Sequence, residues 1–254
     1  MSFSLVPGFA QRYPKDEEDD RHAQPDLDHD RHARLDRASF LIETCCTTFD
    51  EALSAQTRGA NRIELCTDLA VGGLTPSRDL IREVVEALSI PVNVLIRPSV
   101  MPGPDRASGF PARDFVYDED DLQQMTADID FCKSIGAAGI VVGALTPEGT
   151  IDRAAMQRLI AAARPLPVTF HRAFDVCTAD PFIALDQIIA LGCARLLTSG
   201  QAPTAWEGRC LISLLVRRAG RRLIVMPGRG VTPANLAALA AATHAAEYHG
   251  TALP

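Results

Sequence analysis

Residues 41–66 read Leu-Ile-Glu-Thr-Cys-Cys-Thr-Thr-Phe-Asp-Glu-Ala-Leu-Ser-Ala-Gln-Thr-Arg-Gly-Ala-Asn-Arg-Ile-Glu-Leu-Cys. The stretch contains a short strand, a helix and a second strand. Thr48 ahead of Asp50 and Glu51 is a helix entry signal, and Gly59 stands where a left-handed residue ends one. A connection of this length that brings a strand back beside its predecessor gives a parallel pair with a right-handed crossover. The turn after the first strand, Cys46-Thr47-Thr48-Phe49, lacks the glycines that a dinucleotide-binding open sheet carries there.

The pattern repeats to the C-terminus. Strands are expected at Phe40–Cys46, Asn61–Cys66, Val92–Pro98, Gly139–Leu145, Pro167–Phe174, Ala194–Ser199, Leu223–Pro227 and Ala246–Thr251. Between them, helices are expected at Phe49–Arg58, Ser77–Leu88, Glu119–Ile135, Asp152–Arg164, Pro181–Leu191, Thr204–Ala219 and Pro233–Thr243. Eight strands alternating with helices predict an α/β fold, a (β/α)8 TIM barrel over 40–254. Only five residues follow His249, so no eighth helix is expected, and the outer face of the last strand needs another cover.

The 254 residues carry 25 Lys and Arg against 32 Asp and Glu, a net charge of −7, and 47% are hydrophobic. Neither a phosphate-binding basic face nor a bilayer-length apolar block is present, so nucleic-acid and membrane partners are not expected. No basic segment precedes the short apolar N-terminal run, which argues against a signal peptide. Seven scattered cysteines suit reduced thiols in the cytoplasm. Residues 1–39 are rich in charge and poor in aliphatic side chains, and repeat Asp-Arg-His-Ala at 20–23 and 30–33. They are expected to form a disordered or loosely packed extension.

Strand side chains alternate between faces. Placing Ile63 and Leu65 toward the helices turns Arg62, Glu64 and Cys66 inward. The same parity groups Glu43 with Cys45, Asn93 with Leu95 and Arg97, Thr169 with His171, and Glu247 with His249. Charges directed into a barrel must be matched by one another or by a ligand, and barrel sites lie at the C-terminal strand ends. Glu64 and His171 are therefore candidate proton-transfer groups, with Glu43 a further inward carboxylate beside them. Arg97 is the candidate anion clamp. Ser199 and Gly200, Gly228, Arg229 and Gly230 in the turns after the sixth and seventh strands, together with Arg172, are candidate anion-binding positions. Asp175 and His249 are candidate pocket residues. Glu-x-Cys occurs twice, at 43–45 and 64–66, on neighbouring strands, so Cys45 and Cys66 could share a soft ion such as Cu(I), or simply pack as small apolar groups. Cys46, Cys132, Cys177, Cys193 and Cys210 lack ligand spacing and read as structural, and Trp206 is expected to pack at the start of the sixth helix.

Several ordered blocks carry a family resemblance: Leu41-Ile42-Glu43-Thr44-Cys45, Asn61-Arg62-Ile63-Glu64-Leu65-Cys66, Gly72-Gly73-Leu74-Thr75-Pro76-Ser77, Ile96-Arg97-Pro98, Gly143-Ala144-Leu145-Thr146, the 165–175 run containing Thr-Phe-His-Arg-Ala-Phe-Asp, Leu197-Thr198-Ser199-Gly200 and Met226-Pro227-Gly228. Together they closely resemble the CutC copper homeostasis family. The resemblance implies a cytoplasmic barrel, a homo-oligomer, and copper binding at Cys45 and Cys66 with copper as Cu(I). The alternative expectation is a TIM-barrel enzyme performing acid/base chemistry on a small anionic metabolite, phosphorylated ones included. This sequence departs from the family at 99–112, a Pro- and Gly-rich insertion expected at the mouth of the site, and at Arg229, where the family usually has Gly.

Overall fold

The computed structural model describes residues 40–99 and 111–253. The extension expected over 1–39 and nearly all of the insertion lie outside them. Eight parallel strands form the barrel: β1 (Leu41–Cys46), β2 (Arg62–Leu65), β3 (Val92–Leu95), β4 (Gly139–Val142), β5 (Val168–Phe170), β6 (Arg195–Thr198), β7 (Ile224–Pro227) and β8 (Glu247–Gly250). They pair in the order β7-β6-β5-β4-β3-β2-β1-β8. The helices between them are α1 (Phe49–Thr57), α2 (Arg78–Ala87), α3 (Glu119–Ser134), α4 (Arg153–Ala163), α5 (Pro181–Leu191), α6 (Arg209–Ala219) and α7 (Pro233–Thr243). No described helix is long and apolar enough to cross a membrane.

Burial divides the apolar residues as the alternation requires. Ile42, Cys46, Ile63, Leu65, Val94 and Ile140 belong to the large core between strands and helices. Cys45, Cys66, Leu95 and Val141 form a separate small cluster inside the barrel. Register fixes the heights of the inward residues: Cys45 stands level with Glu64, Glu43 with Arg62 on one side and with His249 on the other, and Glu64 with Asn93.

Two expectations need correction. The fifth strand ends at Phe170 rather than Phe174, because the Ala173 N–H turns back onto His171 Nδ1 at 3.2 Å and Arg172–Val176 wind into a 3-10 turn. The sixth helix begins at Arg209, not Thr204, because the chain first closes a separate turn in which the Gly208 N–H donates to the Thr204 carbonyl at 3.0 Å. Trp206 lies just before that helix, 39% exposed, with the Arg209 guanidinium 4.4 Å from its ring centroid. The outer face of β8 is covered by the chain itself. Tyr248 is fully buried under the edge of Phe40 at 5.2 Å, and its hydroxyl lies 3.1 Å from that of Thr243 at the end of α7. Buried Leu253 packs nearby and accepts a hydrogen bond from the Thr44 hydroxyl.

Candidate functional site

Within the barrel the inward charges form a closed network. Glu43 is completely buried; Oε2 accepts from Arg62 Nε at 2.5 Å and Asn93 Nδ2 at 3.0 Å, while Oε1 lies 2.9 Å from His249 Nδ1. The other side of the Arg62 fork reaches Glu247 at 2.6 Å, and Arg195 adds a bond to the same oxygen at 2.7 Å. Burial alone would raise the Glu43 carboxyl; the His249 hydrogen bond and the Arg62 charge overcome it and hold it at about 2. Glu43 does not line the cavity above. Its contacts with Arg62, Asn93 and His249 hold the carboxylate and the His249 ring against each other.

Above this layer, at the C-terminal strand ends, a cavity of about 440 Å³ opens. Cys45 Sγ and Cys66 Sγ lie 3.4 Å apart in its wall. Cys45, Glu64 and His249 also bring one ligand-type atom each to within 4.8 Å of one another. Gly228 makes this approach possible: a Cβ there would stand 2.4 Å from Leu197 Cδ1 and 3.3 Å from His249 Cδ2. The Cys45 thiol is pushed well above the ordinary thiol range by its Cys66 contact, burial and the Glu64 charge.

Glu64 differs sharply from Glu43. Its Oε2 is buried without a hydrogen bond. It lies 3.3 Å from His249 Nδ1, but that nitrogen makes its closer contact with Glu43. Burial, reinforced by the Glu43 charge and opposed by His249, raises the Glu64 carboxyl to about 7. Burial would lower His249, yet the charge of Glu64 and the hydrogen bond to Glu43 raise it instead.

His171 also lines the cavity. Its Nδ1 accepts the Ala173 N–H, so the neutral ring carries its proton on Nε2, a buried atom with no partner. Gly143 admits the ring, since a Cβ there would come within 2.6 Å of Nδ1. Burial, then the nearby Arg97 charge, push His171 down to about 3. It is thus a neutral N–H donor.

The remaining candidates divide. Arg97 lines the cavity, but its Nη1 donates to the Val71 and Gly73 carbonyls at 2.9 and 3.0 Å, and Nη2 lies 3.5 Å from Asp114. Its fork ties these loops together. The Ser199–Gly200 turn is filled by the protein's own carboxylate: Asp175 accepts from the Thr198 and Ser199 hydroxyls and from the Ser199 and Gln201 N–H groups. Ser199, Gly200, Gly228 and Asp175 do not line the cavity, whereas Arg172, Arg229 and Gly230 do. Cys46, Cys132 and Cys193 are buried thiols pushed up to about 12, chiefly by burial, while Cys210 is exposed. The apolar side of the cavity, Leu95, Phe115 and Leu197, carries no motif that singles it out in the sequence.

Comparison with known proteins supplies the family. The CutC family model matches residues 40–253. The protein CutC of Histophilus somni is 45% identical over 82% of this chain and 80% of its own length. The human copper homeostasis protein cutC homolog is 43% identical over 84% of this chain and 73% of its own. A crystal structure of a CutC protein from Streptococcus agalactiae superposes with a TM-score of 0.76 at 33% identity, covering 85% of this chain and all of that one. An aldolase barrel superposes at 0.60 with 11% identity, a likeness of fold alone. The residues that build the cavity, from Cys45 to His249, fall within the matched span, and the chain belongs to the CutC family.

Proposed function

We propose that this protein binds Cu(I) in the cytoplasm through Cys45 and Cys66, as part of copper homeostasis. The single observation that carries the reading is the 3.4 Å separation of the two sulfurs beside two further ligand-type side chains, Glu64 and His249. Thiolates are the soft ligands that Cu(I) selects. With metal–sulfur bonds of about 2.3 Å, sulfurs at this spacing subtend an angle of about 95°, far from a linear pair. A third ligand from His249 or Glu64 completes such a bent site. Binding exchanges the thiol S–H bonds for Cu–S bonds and releases the protons. The naming of the human relative as a copper homeostasis protein supports the same reading.

An anaerobic Cu(I) titration against a competing chelator tests it. C45S/C66S should lower affinity by more than the roughly 100-fold that changes outside the ligand shell cost. Unchanged affinity in that variant would remove the reading. A second reading, a barrel enzyme acting on a small anionic metabolite, is favoured by the unpartnered His171 Nε2 in the same cavity, which copper ligation leaves unused.

A further inference from the structure

Three cavity features remain unexplained by a copper site. The first is the His171 Nε2–H, carried by a side chain 5% exposed and without an acceptor among the described residues. A buried donor left unmatched costs free energy, so a position that keeps one is prepared for an acceptor supplied from outside. The second is a pair of cations lining the cavity, Arg172 and Arg229, close enough that the Arg229 charge opposes that of Arg172. Arg172 is held by Asp175 at 3.0 Å, but no carboxylate among the described residues pairs with Arg229. The third is backbone strain at that same residue. Arg229 takes φ +77, a left-handed conformation that a long side chain adopts only where the surroundings hold it there.

The same cavity is lined by the apolar side chains of Leu95, Phe115 and Leu197, with the Phe115 ring centroid 5.0 Å from that of His171. Charge matching then specifies the occupant. The arginines receive an oxyanion. His171, an uncharged donor, suits an uncharged oxygen such as a carbonyl, and the wall takes an apolar body. The volume of about 440 Å³ lies within the range of small-molecule sites, roughly 300–1,000 Å³.

We propose that the cavity binds a small carbonyl-bearing organic carboxylate, with the carboxylate on Arg229 and Arg172, the carbonyl oxygen on His171 Nε2–H, and an aliphatic body against Leu95, Phe115 and Leu197. This deepens the second reading above and rests on residues other than the thiol pair, so it stands or falls separately from copper binding.

The test is calorimetric titration of the full chain, kept free of copper, with three probes: 4-methyl-2-oxopentanoate, the matched 4-methylpentanoate that lacks the carbonyl, and inorganic phosphate. The oxo acid should bind about tenfold tighter than its matched acid, the difference one buried hydrogen bond makes. Phosphate should bind more weakly than either. H171F should bring the ratio between the two organic probes close to one. R229G should weaken both organic probes by about tenfold without lowering the thermal midpoint, because glycine relieves the strained φ. C45S/C66S should retain the oxo-acid preference. Equal binding of the two organic probes, tighter binding of phosphate, an unchanged ratio in H171F, undiminished binding in R229G, or loss of the preference in C45S/C66S would each overturn the assignment.

Discussion

Two carboxylates one layer apart inside the same barrel behave in opposite ways. Glu43, in the lower layer, accepts from Arg62 and Asn93 and lies against His249, and its carboxyl is held at about 2. Glu64, one step toward the mouth, leaves an oxygen unmatched and is raised to about 7. Both are inward and almost fully buried, so burial alone does not separate them. Partner count does. In the lower layer every charge answers another charge of the protein; in the cavity wall, Glu64 Oε2 and His171 Nε2 have no hydrogen-bond partner among the described residues.

The largest effect should come from breaking the lower layer. Arg62→Met leaves Glu43 and Glu247 buried without their shared cation and should cost about 3–5 kcal/mol, measured by urea unfolding. A loss below about 1 kcal/mol, the scale of an exposed pair, would mean that the network is not the barrel's structural floor.

The pH dependence of stability should separate the two carboxylates. For Glu43 the folded pKa of about 2 lies below the ordinary 4.5, so its stabilisation is present above 4.5 and is lost as pH falls toward 2. Glu64 has the opposite sign: its folded pKa of about 7 lies above 4.5. Its ionisation is easier in the unfolded chain, and stability falls as pH rises from 4.5 through 7. His249, raised above 6.5, adds a slope of the same sign, its stabilisation being lost as pH rises through its folded value. Glu64→Gln should therefore flatten the stability profile between about pH 5 and pH 8 by up to roughly 2–3 kcal/mol, whereas Glu43→Gln should leave the Glu64 slope in place. An unaltered slope in Glu64→Gln would remove the contrast.

The smallest effect is expected at the turn that the sequence marks as an anion site. Ser199→Ala removes hydroxyl bonds to Asp175 and to the Ala202 carbonyl and should cost about 0.5–1.5 kcal/mol. Cu(I) affinity should stay constant, since Ser199 lies outside the cavity wall. A change in affinity would place that turn in the site after all.

Much of this was legible beforehand. Period-two alternation at 61–66 is enough to send Arg62, Glu64 and Cys66 inward, because a strand has only two faces, and the same rule turns Cys45 inward; the register that sets Cys45 level with Glu64 and 3.4 Å from Cys66 lies outside the alternation. The strand ends were less legible: the fifth strand stops at Phe170 because the His171 ring captures a backbone N–H, a bond invisible to periodicity. Arg97 and Ser199 show a related limit of periodicity. An arginine at a strand end and a glycine turn are both suited to anions, but whether the protein fills those positions itself depends on loops distant in sequence, here the Val71 and Gly73 carbonyls and Asp175.

The sequence by itself determined the alternation of strands and helices, the inward set of side chains and the family, since these follow from local periodicity and from ordered motifs. Only the tertiary structure decided which inward groups are satisfied. Partners such as Glu43 and His249, 206 residues apart, meet through barrel closure, and a hydrogen bond depends on tenths of an ångström in three dimensions that no one-dimensional spacing encodes.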